Sequence, residues 1–323
     1  MRGIVAFVAS VACSLTSAFA EDYVMDAFPL RNHNPFLQVF GLPKFQTAEL
    51  VRPDHFDFAL GYDIANDADD AERPASELVI DGEMQTLSLS LRRRVFDRME
   101  LGIDVPYISH SGGTLDGLIK NWHNLLGYSN SMRDGPNDQI QHSYAQDGIT
   151  YYELSSAESG IGDIQLSAAY AMQHVTLRAG VKLPTGDPGK LTGSGATDFS
   201  LGFYAGNTTT LFNRAFDYSG FLGILVLGDG DVMPEFQRSS VAYGGLGLRW
   251  HGTERFALSM QWSLQSSYFD IDIDEIGGST IQFAIGGDYR FKRSLLRLAI
   301  VEDVAGGAAP DFALHVSIRS FAG

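Results

Sequence analysis

Residues 181–203, VKLPTGDPGKLTGSGATDFSLGF, connect two segments in which apolar and polar residues alternate. Apolar residues take alternate positions from Val175 to Leu183, and again from Phe199 to Phe203. Alternation with a period of two predicts strands that have one apolar and one polar face. The polar face carries charged residues, which would be costly in a soluble core. The fold therefore depends on which of the two faces points inward.

The same alternation recurs along the chain and predicts a rhythm of strands. Each segment has roughly the length that crosses a bilayer as a tilted strand, and an even number of strands is usual in bacterial outer-membrane barrels. The twelve predicted strands are 55–66, 85–95, 99–107, 163–172, 174–183, 197–206, 215–227, 237–250, 255–268, 280–290, 294–303 and 311–321.

The connections between these segments alternate between short and long. Short turns are predicted at 96–98, 173, 207–214, 251–254 and 291–293, and long loops at 66–83, 108–160, 184–196, 228–236, 269–279 and 304–310. Membrane barrels have short periplasmic turns and long outer loops, whereas a soluble β-sandwich has no reason to sort its loops in this way. We therefore predict an all-β fold, a transmembrane antiparallel up-and-down β-barrel of about 12 strands whose apolar face meets lipid.

The N-terminus divides the chain into three parts. Arg2, the apolar stretch 4–15 and the sequence Ala18-Phe19-Ala20 have the pattern of a signal peptide cleaved after Ala20, which indicates export to the outer membrane of a Gram-negative cell. Residues 21–54 contain four prolines and no strand pattern, but they are apolar between 36 and 42. We expect them to form a periplasmic segment or a plug within the lumen, and residues 55–323 to form the barrel.

Charge and cysteine content exclude several functions. The net charge of −16 argues against nucleic-acid binding. Cys13 is the only cysteine and lies in the predicted signal peptide, so the mature chain has no thiolate nucleophile and no cysteine metal site. The acidic stretches 66–72 and 270–275 lack the spacing of a calcium loop, so we expect no metal and no cofactor.

The polar face of the strands predicts the lining of the lumen. Its charged residues carry both signs and could form ion pairs across a narrow interior. They are Asp57, Asp63, Arg92, Glu100, Asp104, Arg178, Lys182, Asp198, Arg290, Arg297, His315 and Arg319.

The connection quoted at the start is predicted to lie at the outer mouth. Pro184 would end the strand pairing, because proline has no N–H to donate. The glycines of this loop could take a positive φ and so allow it to bend inward. Asp163, Asp187 and Asp198 are expected to converge near one rim and to narrow the entrance. The predicted mouth residues are Asp163, Pro184, Thr185, Gly186, Asp187, Gly193 and Gly195.

The longest outer loop contains one helical pattern. In residues 114–126, TLDGLIKNWHNLL, apolar residues recur at the spacing of an amphipathic helix. We expect one short helix that packs over the barrel mouth, with a gate or an interfacial helix as the alternative.

Several long motifs occur together in the order of a known family. They are ELGIDVPYISHSGGTLDGLIKNWHNLLGYSNSMRDGPND (100–138), SGIGD (159–163), VKLPTGDPGKLTGSGATDFSLG (181–202) and EDVAGGAAPDFALHVSIRSF (302–321). From Pro29 to Phe321 the chain resembles the proteobacterial family catalogued as domain of unknown function 3187. The resemblance implies an outer-membrane barrel and no assigned activity. More loosely, Gly-x-Gly-Asp followed by Lys-x-Pro-Thr-Gly resembles barrel families associated with uptake of hydrophobic compounds.

Two classes of function are compatible with these patterns. The first is a narrow channel or passive transporter for small solutes, and the second is a closed structural or interaction barrel that presents acidic outer loops. A lipid hydrolase is less favoured, because His315 and Ser317 point to the lumen, where no acyl chain would reach. We expect no enzyme activity and no nucleic-acid partner. The expected partners are outer-membrane lipids, lipopolysaccharide and the barrel-assembly machinery.

Overall fold

The computed structural model describes residues 27–113, 139–310 and 312–322. The predicted signal peptide, residues 1–20, and the predicted helix at 114–126 lie outside the described residues. Among the residues described, no helix is long and apolar enough to cross a membrane.

Fifteen strands form one antiparallel sheet in the described part of the chain. They are β1 (Phe56–Arg73), β2 (Ser76–Phe96), β3 (Met99–Ser111), β4 (Gln141–Gln146), β5 (Ile149–Leu154), β6 (Glu158–Ile161), β7 (Gln165–Ala171), β8 (Thr176–Lys182), β9 (Asp198–Leu211), β10 (Arg214–Val226), β11 (Ser240–Trp250), β12 (Phe256–Gln265), β13 (Thr280–Phe291), β14 (Ser294–Ala305) and β15 (Phe312–Ala322).

The sheet closes into a barrel, because β1 pairs with both β2 and β15. β6 and β7 both pair with β3 and are successive parts of one strand of the wall. The wall therefore has twelve strands, which confirms the predicted closed antiparallel barrel. Closure leaves no unpaired sheet edge between first and last strands, as a bilayer requires.

One end of the barrel carries the short turns and the other carries the long connections; we call them the short-turn end and the long-loop end. The prediction of a loop at 66–83 was wrong. β1 and β2 continue as a hairpin that turns between Arg73 and Ser76. The acidic content of 66–72 obscured this strand, which pairs with an apolar stretch of β2 in which Leu78 and Ile80 are fully buried. A second hairpin, β4–β5, pairs with this extension of β2.

The predicted turn at 207–214 is also shorter than expected. β9 and β10 pair up to Leu211 and Arg214, so that only Phe212 and Asn213 form the turn. Both have positive φ values, of 51° and 58°. Such values at both central residues are typical of the tight type I′ turn that suits the twist of a hairpin.

The two faces of the wall differ as the alternation predicts. Leu201 and Leu258 point outward and are 43% and 45% exposed, whereas their neighbours Ser200 and Ser259 point inward and are 9% and 6% exposed. The outward face is apolar over most of its height, and the inward face is polar. An apolar outer belt around a polar interior is the arrangement of a barrel in lipid.

Residues 27–55, the N-terminal segment, contain no strand and lie inside the barrel. They contact inward-facing groups of wall strands far apart in the sheet. Gln261 of β12 donates to the Phe28 carbonyl, Arg178 of β8 donates to the Thr47 carbonyl, and the Val51 amide donates to Glu100 of β3. The interior is therefore occupied by the chain's own N-terminal residues.

The outward orientation of Leu201 and Leu258 can be tested by substitution. Replacing either with Arg places a charge in the apolar belt, which costs roughly 2–4 kcal/mol near the bilayer midplane. We expect a lower yield of folded barrel and a lower urea midpoint in lipid vesicles. Leu201→Ala and Leu258→Ala keep the position apolar and should be much milder. Equal effects of Arg and Ala would contradict the assigned faces.

Candidate functional site

Towards the long-loop end, the interior contains a buried group that we call the Lys182 cluster: Lys182, Asp163, Asp198 and Ser194. The Lys182 ammonium lies 2.7 Å from Asp163 Oδ2 and 3.0 Å from Asp198 Oδ2. It also donates to the Val39 carbonyl at 2.9 Å and to the Ser194 hydroxyl. Lys182 is 2% exposed. A buried ammonium needs such complete pairing, because its desolvation is otherwise strongly unfavourable.

The two carboxylates of the Lys182 cluster fasten three separate parts of the chain. Asp163 accepts from the amides of Gly186 and Ser194, at 2.8 and 3.1 Å. Asp198 accepts from the amide of Gly41 in the N-terminal segment at 2.8 Å, and from that of Gly228 at 3.0 Å. The cluster therefore ties the β8–β9 loop and the β10–β11 loop to the N-terminal segment.

A break between β6 and β7 places Asp163 in this position. Residues 162–164 leave the regular pairing, and the hydroxyl of Thr185 spans the gap. It donates to the Gly162 carbonyl at 2.8 Å and accepts from the Ile164 amide at 2.9 Å. β8 ends at Lys182, just before Pro184. The motifs SGIGD and PTG thus contact each other directly, although they are more than twenty residues apart in the chain.

The structure changes two details of the expected loop. Asp187 does not join Asp163 and Asp198, because it caps the short 3-10 helix Pro188–Lys190 and accepts from the Gly189 amide. Among the glycines of this described loop, only Gly195 has a positive φ, of 81°. Gly193 is needed for a different reason, since a Cβ there would collide with the Asp163 carboxylate. Close approach, more than backbone freedom, explains that position.

An apolar cluster closes the long-loop end; we call it the outer cluster. It joins residues of the N-terminal segment to the β1–β2 and β4–β5 hairpins and to the loops that follow β8, β10, β12 and β14. Its buried members are Phe36, Leu37, Val39, Phe40, Ala71, Leu78, Ile80, Tyr144, Leu154, Leu191, Leu225, Leu227, Val232, Met233, Val241, Tyr243, Tyr268, Phe269, Ile273, Ile276 and Ala308. A cluster of this size stabilises the closed arrangement through buried apolar area.

Two polar groups beside the outer cluster, Tyr152 and His142, remain uncharged near pH 7. The Tyr152 hydroxyl donates to the Pro188 carbonyl at 2.7 Å, and burial raises the pKa of Tyr152 to about 12. His142 of β4 lies edge-on to Phe36, and burial lowers its pKa to about 3. His142 is therefore neutral near pH 7.

Below the Lys182 cluster, ion pairs join the wall to the N-terminal segment. The Arg178 guanidinium lies 2.9 Å from Glu100 Oε1 and donates at 3.0 Å to the carbonyls of Thr47 and Glu49. Glu100 Oε2 accepts from the Val51 amide at 2.6 Å. These contacts hold an irregular segment by its backbone groups, which need partners wherever water is excluded.

Two further carboxylates, Asp57 on β1 and Asp104 on β3, form three ion pairs. Asp57 accepts from Arg92 at 2.6 Å and also from Arg319. Asp104 accepts from Lys44 of the N-terminal segment at 2.8 Å, and from the Ser90 hydroxyl. Four of the five residues in these pairs were predicted to face the lumen, whereas Lys44 was missed because its segment has no periodic pattern.

The remaining predicted residues lie on β1, β13, β14 and β15. His315 Nδ1 is 2.6 Å from Asp63 Oδ1. Arg297 is 3.0 Å from Asp288 Oδ1 and donates to the Ala27 carbonyl at 3.0 Å. Arg290 is half-buried at the short-turn end, and its amide donates to the Arg255 carbonyl at 2.7 Å.

Sequence reasoning missed several charged groups on the inward face. Asp288 lies 3.1 Å from Arg249, and Asp217 lies 2.7 Å from His251. Asp217, Arg249 and Asp288 follow the inward phase of β10, β11 and β13, so the alternation itself could have identified them. In the part of the chain that is described, no group of three or more His, Cys, Asp or Glu residues could hold a metal ion.

Comparison with known proteins supports this fold. A family model described as "Protein of unknown function (DUF3187)" matches residues 4–320, and no curated protein matches the chain. The COG4313 outer membrane channel from Pseudomonas putida F1 is similar, with a TM-score of 0.54 and 14% identity over 85% of this chain and 97% of that one. The NanC porin gives a TM-score of 0.43 and 9% identity over 82% and 98%. Only the first of these TM-scores is high enough to be informative, and at 14% identity the likeness concerns the fold alone.

The Lys182 cluster generates a stability prediction. Lys182→Met leaves two buried carboxylates without their shared cation, and breaking a buried ion pair in this way costs about 3–5 kcal/mol. We expect a clearly lower urea midpoint and faster proteolysis of the β8–β9 loop. Lys190→Met is the matched control. Lys190 lies in the β8–β9 loop and forms an exposed pair with Glu158 of β6, so its replacement should change the stability little. If the Lys182→Met barrel is as stable as the Lys190→Met control, the Lys182 cluster does not hold the two loops to the N-terminal segment.

Proposed function

Since this chain belongs to the DUF3187 family of proteins of unknown function, we propose its function from its own geometry. It acts as an outer-membrane channel or passive transporter for small solutes, and the N-terminal segment is its plug. The short-turn end faces the periplasm and the long-loop end faces the cell exterior. Transport rests on displacement or partial movement of the plug within a rigid wall.

One observation carries this proposal: the barrel wall leaves room for a separate segment, and many of the contacts between the two are polar. A barrel of roughly eight strands can fill its interior with its own side chains, whereas a wider wall such as this one leaves space for a separate segment. Here the wall instead presents ion pairs and hydrogen bonds to the backbone of residues 27–55, as at Arg178 and Glu100. Polar contacts can be exchanged for water when a segment moves, so that their loss costs less than the loss of an apolar core.

The composition of the interior also favours passage over a scaffold role. The inward charges have both signs and are distributed along the height of the wall, where Asp57, Glu100, Asp104 and Asp198 each have a basic partner. Once hydrated, such a lining suits polar solutes and ions. The fold likeness to an outer-membrane channel is in keeping with this role.

A lumenal serine hydrolase is the second candidate, and a specific hydrogen-bond chain favours it. Ser317 Oγ lies 2.9 Å from His315 Nε2, and His315 Nδ1 lies 2.6 Å from Asp63 Oδ1, which is the order of a catalytic triad. Ser317 is, however, 3% exposed and belongs to β15, which pairs on both sides. The neighbouring backbone N–H groups are thus used within the sheet and cannot form an oxyanion hole.

A fluorophosphonate probe separates the two candidates. We expect no labelling of the intact protein, nor of a variant that lacks residues 21–54 and so exposes the interior. Labelling that appears in this truncated protein and disappears in Ser317→Ala would favour the hydrolase.

The channel itself is tested by conductance in planar bilayers. Removing residues 21–54 should raise the single-channel conductance several-fold, because it opens an interior that the segment now fills. Adding the free peptide of residues 27–54 from the periplasmic side should reduce it again, whereas a scrambled peptide should not. A folded truncated barrel with no greater conductance than the intact protein would contradict the plug.

A further inference from the structure

Three small cavities remain between the N-terminal segment and the wall, and they share one ion pair. Their volumes are about 30, 30 and 50 Å³. A buried water needs roughly 10–15 Å³, so each cavity holds only a few waters. Among the described residues, Lys44 and Asp104 are the two that line all three cavities.

The cavities follow one another along the barrel. The first lies towards the long-loop end, where Asp163, Lys182 and Thr192 line it. The 50 Å³ cavity lies on the other side of the Lys44–Asp104 pair and reaches Glu49 and Leu50. These two residues also line a larger space of about 930 Å³ at the short-turn end, beside the β7–β8 turn.

The Lys44–Asp104 pair has the properties of a constriction between the cavities. Lys44 belongs to the N-terminal segment and Asp104 to the wall, so their 2.8 Å contact closes the gap between plug and barrel. The Lys44 ammonium also donates to the Ser90 hydroxyl at 3.2 Å. Both side chains are about nine-tenths buried, and one elementary charge of each sign faces the passage.

We propose that the three cavities are the closed form of a solute path beside the plug, and that the Lys44–Asp104 pair is its gate. This proposal rests on the proposed channel function and names its solute class: ions and polar molecules a few waters in size. The path is lined by charged and hydroxyl side chains, among them Asp57, Arg92 and Ser88, which replace part of the hydration of such solutes. When the pair separates, its two charges remain on opposite sides of the path and set the ion preference.

The test is the ion selectivity of two single variants. Lys44→Met removes one positive charge from the gate and should favour cations, while Asp104→Asn removes one negative charge and should favour anions. We expect the cation-to-anion permeability ratio to move in opposite directions by roughly thirty-fold each, because one unit charge at about 4 Å in water changes the occupancy of a cation and of an anion by about five-fold in opposite senses. Reversal potentials in a KCl gradient measure this ratio, and conductance should rise in both variants.

Two controls identify the cause of any change. The double variant Lys44→Met/Asp104→Asn should conduct more than the intact protein with little change of selectivity. Lys190→Met, in an exposed pair on the loop surface, should alter neither quantity. If the variants merely loosened the plug, all of them would conduct more and their selectivity would shift in one direction, which would overturn the proposal.

A cysteine at the gate gives an independent measurement. The mature chain predicted here has no cysteine of its own, so Lys44→Cys offers a single reactive thiol. A cationic thiol reagent should return the reversal potential towards that of the intact protein, and an anionic reagent should move it further away. Absence of any effect from either reagent would also overturn the gate. If the protein lacking residues 21–54 conducts while these variants behave as the intact protein does, the gate proposal is wrong and the channel proposal is retained.

Discussion

The pairing of charge inside a closed barrel is the constraint on which the rest of the structure depends. The wall must satisfy every backbone group within the sheet, and its inward face is polar because its outward face must be apolar. Charges placed on that inward face are far from bulk water, so each needs a partner. Lys182 illustrates this, since its partners come from the break between β6 and β7, from β9, from the β8–β9 loop and from the N-terminal segment.

This requirement explains why an irregular segment can lie inside the barrel. Residues 27–55 contain no helix or strand, and apart from a few turn hydrogen bonds their amides and carbonyls need partners elsewhere. The wall supplies the missing partners, such as Arg178 for the Thr47 carbonyl and Asp198 for the Gly41 amide. The two parts are therefore complementary. The segment supplies a cation, Lys44, to the wall carboxylate Asp104, and the wall supplies hydrogen-bond partners to the segment's backbone. Displacing the segment requires water to enter and take over both roles.

The sequence allowed the barrel to be predicted because alternation is a local signal. Leu201 and Ser200 differ in exposure as their positions in the pattern require. The partner of each charge was not predictable, since the Asp163–Lys182 contact depends on a break in the wall that no periodicity marks. Acidic residues hid the extended β1–β2 hairpin, because the loop assignment rested on composition. Lys44 was missed for a third reason: it lies in a segment whose conformation the surrounding wall imposes.

The long-loop end and the deeper part of the interior are closed by different kinds of contact. At the long-loop end, the outer cluster buries apolar side chains such as Phe40 and Tyr268, which stack with ring centroids 5.2 Å apart. Opening this end exposes apolar area to water, and no solute on the path can compensate for it. Farther in, the contacts are ionic, and water or a polar solute can replace them one at a time. Val39 and Phe40 of the outer cluster immediately precede Gly41, and Lys44 follows three residues later, so that in the proposed channel a movement of the cluster would pull on the ion pairs of the path.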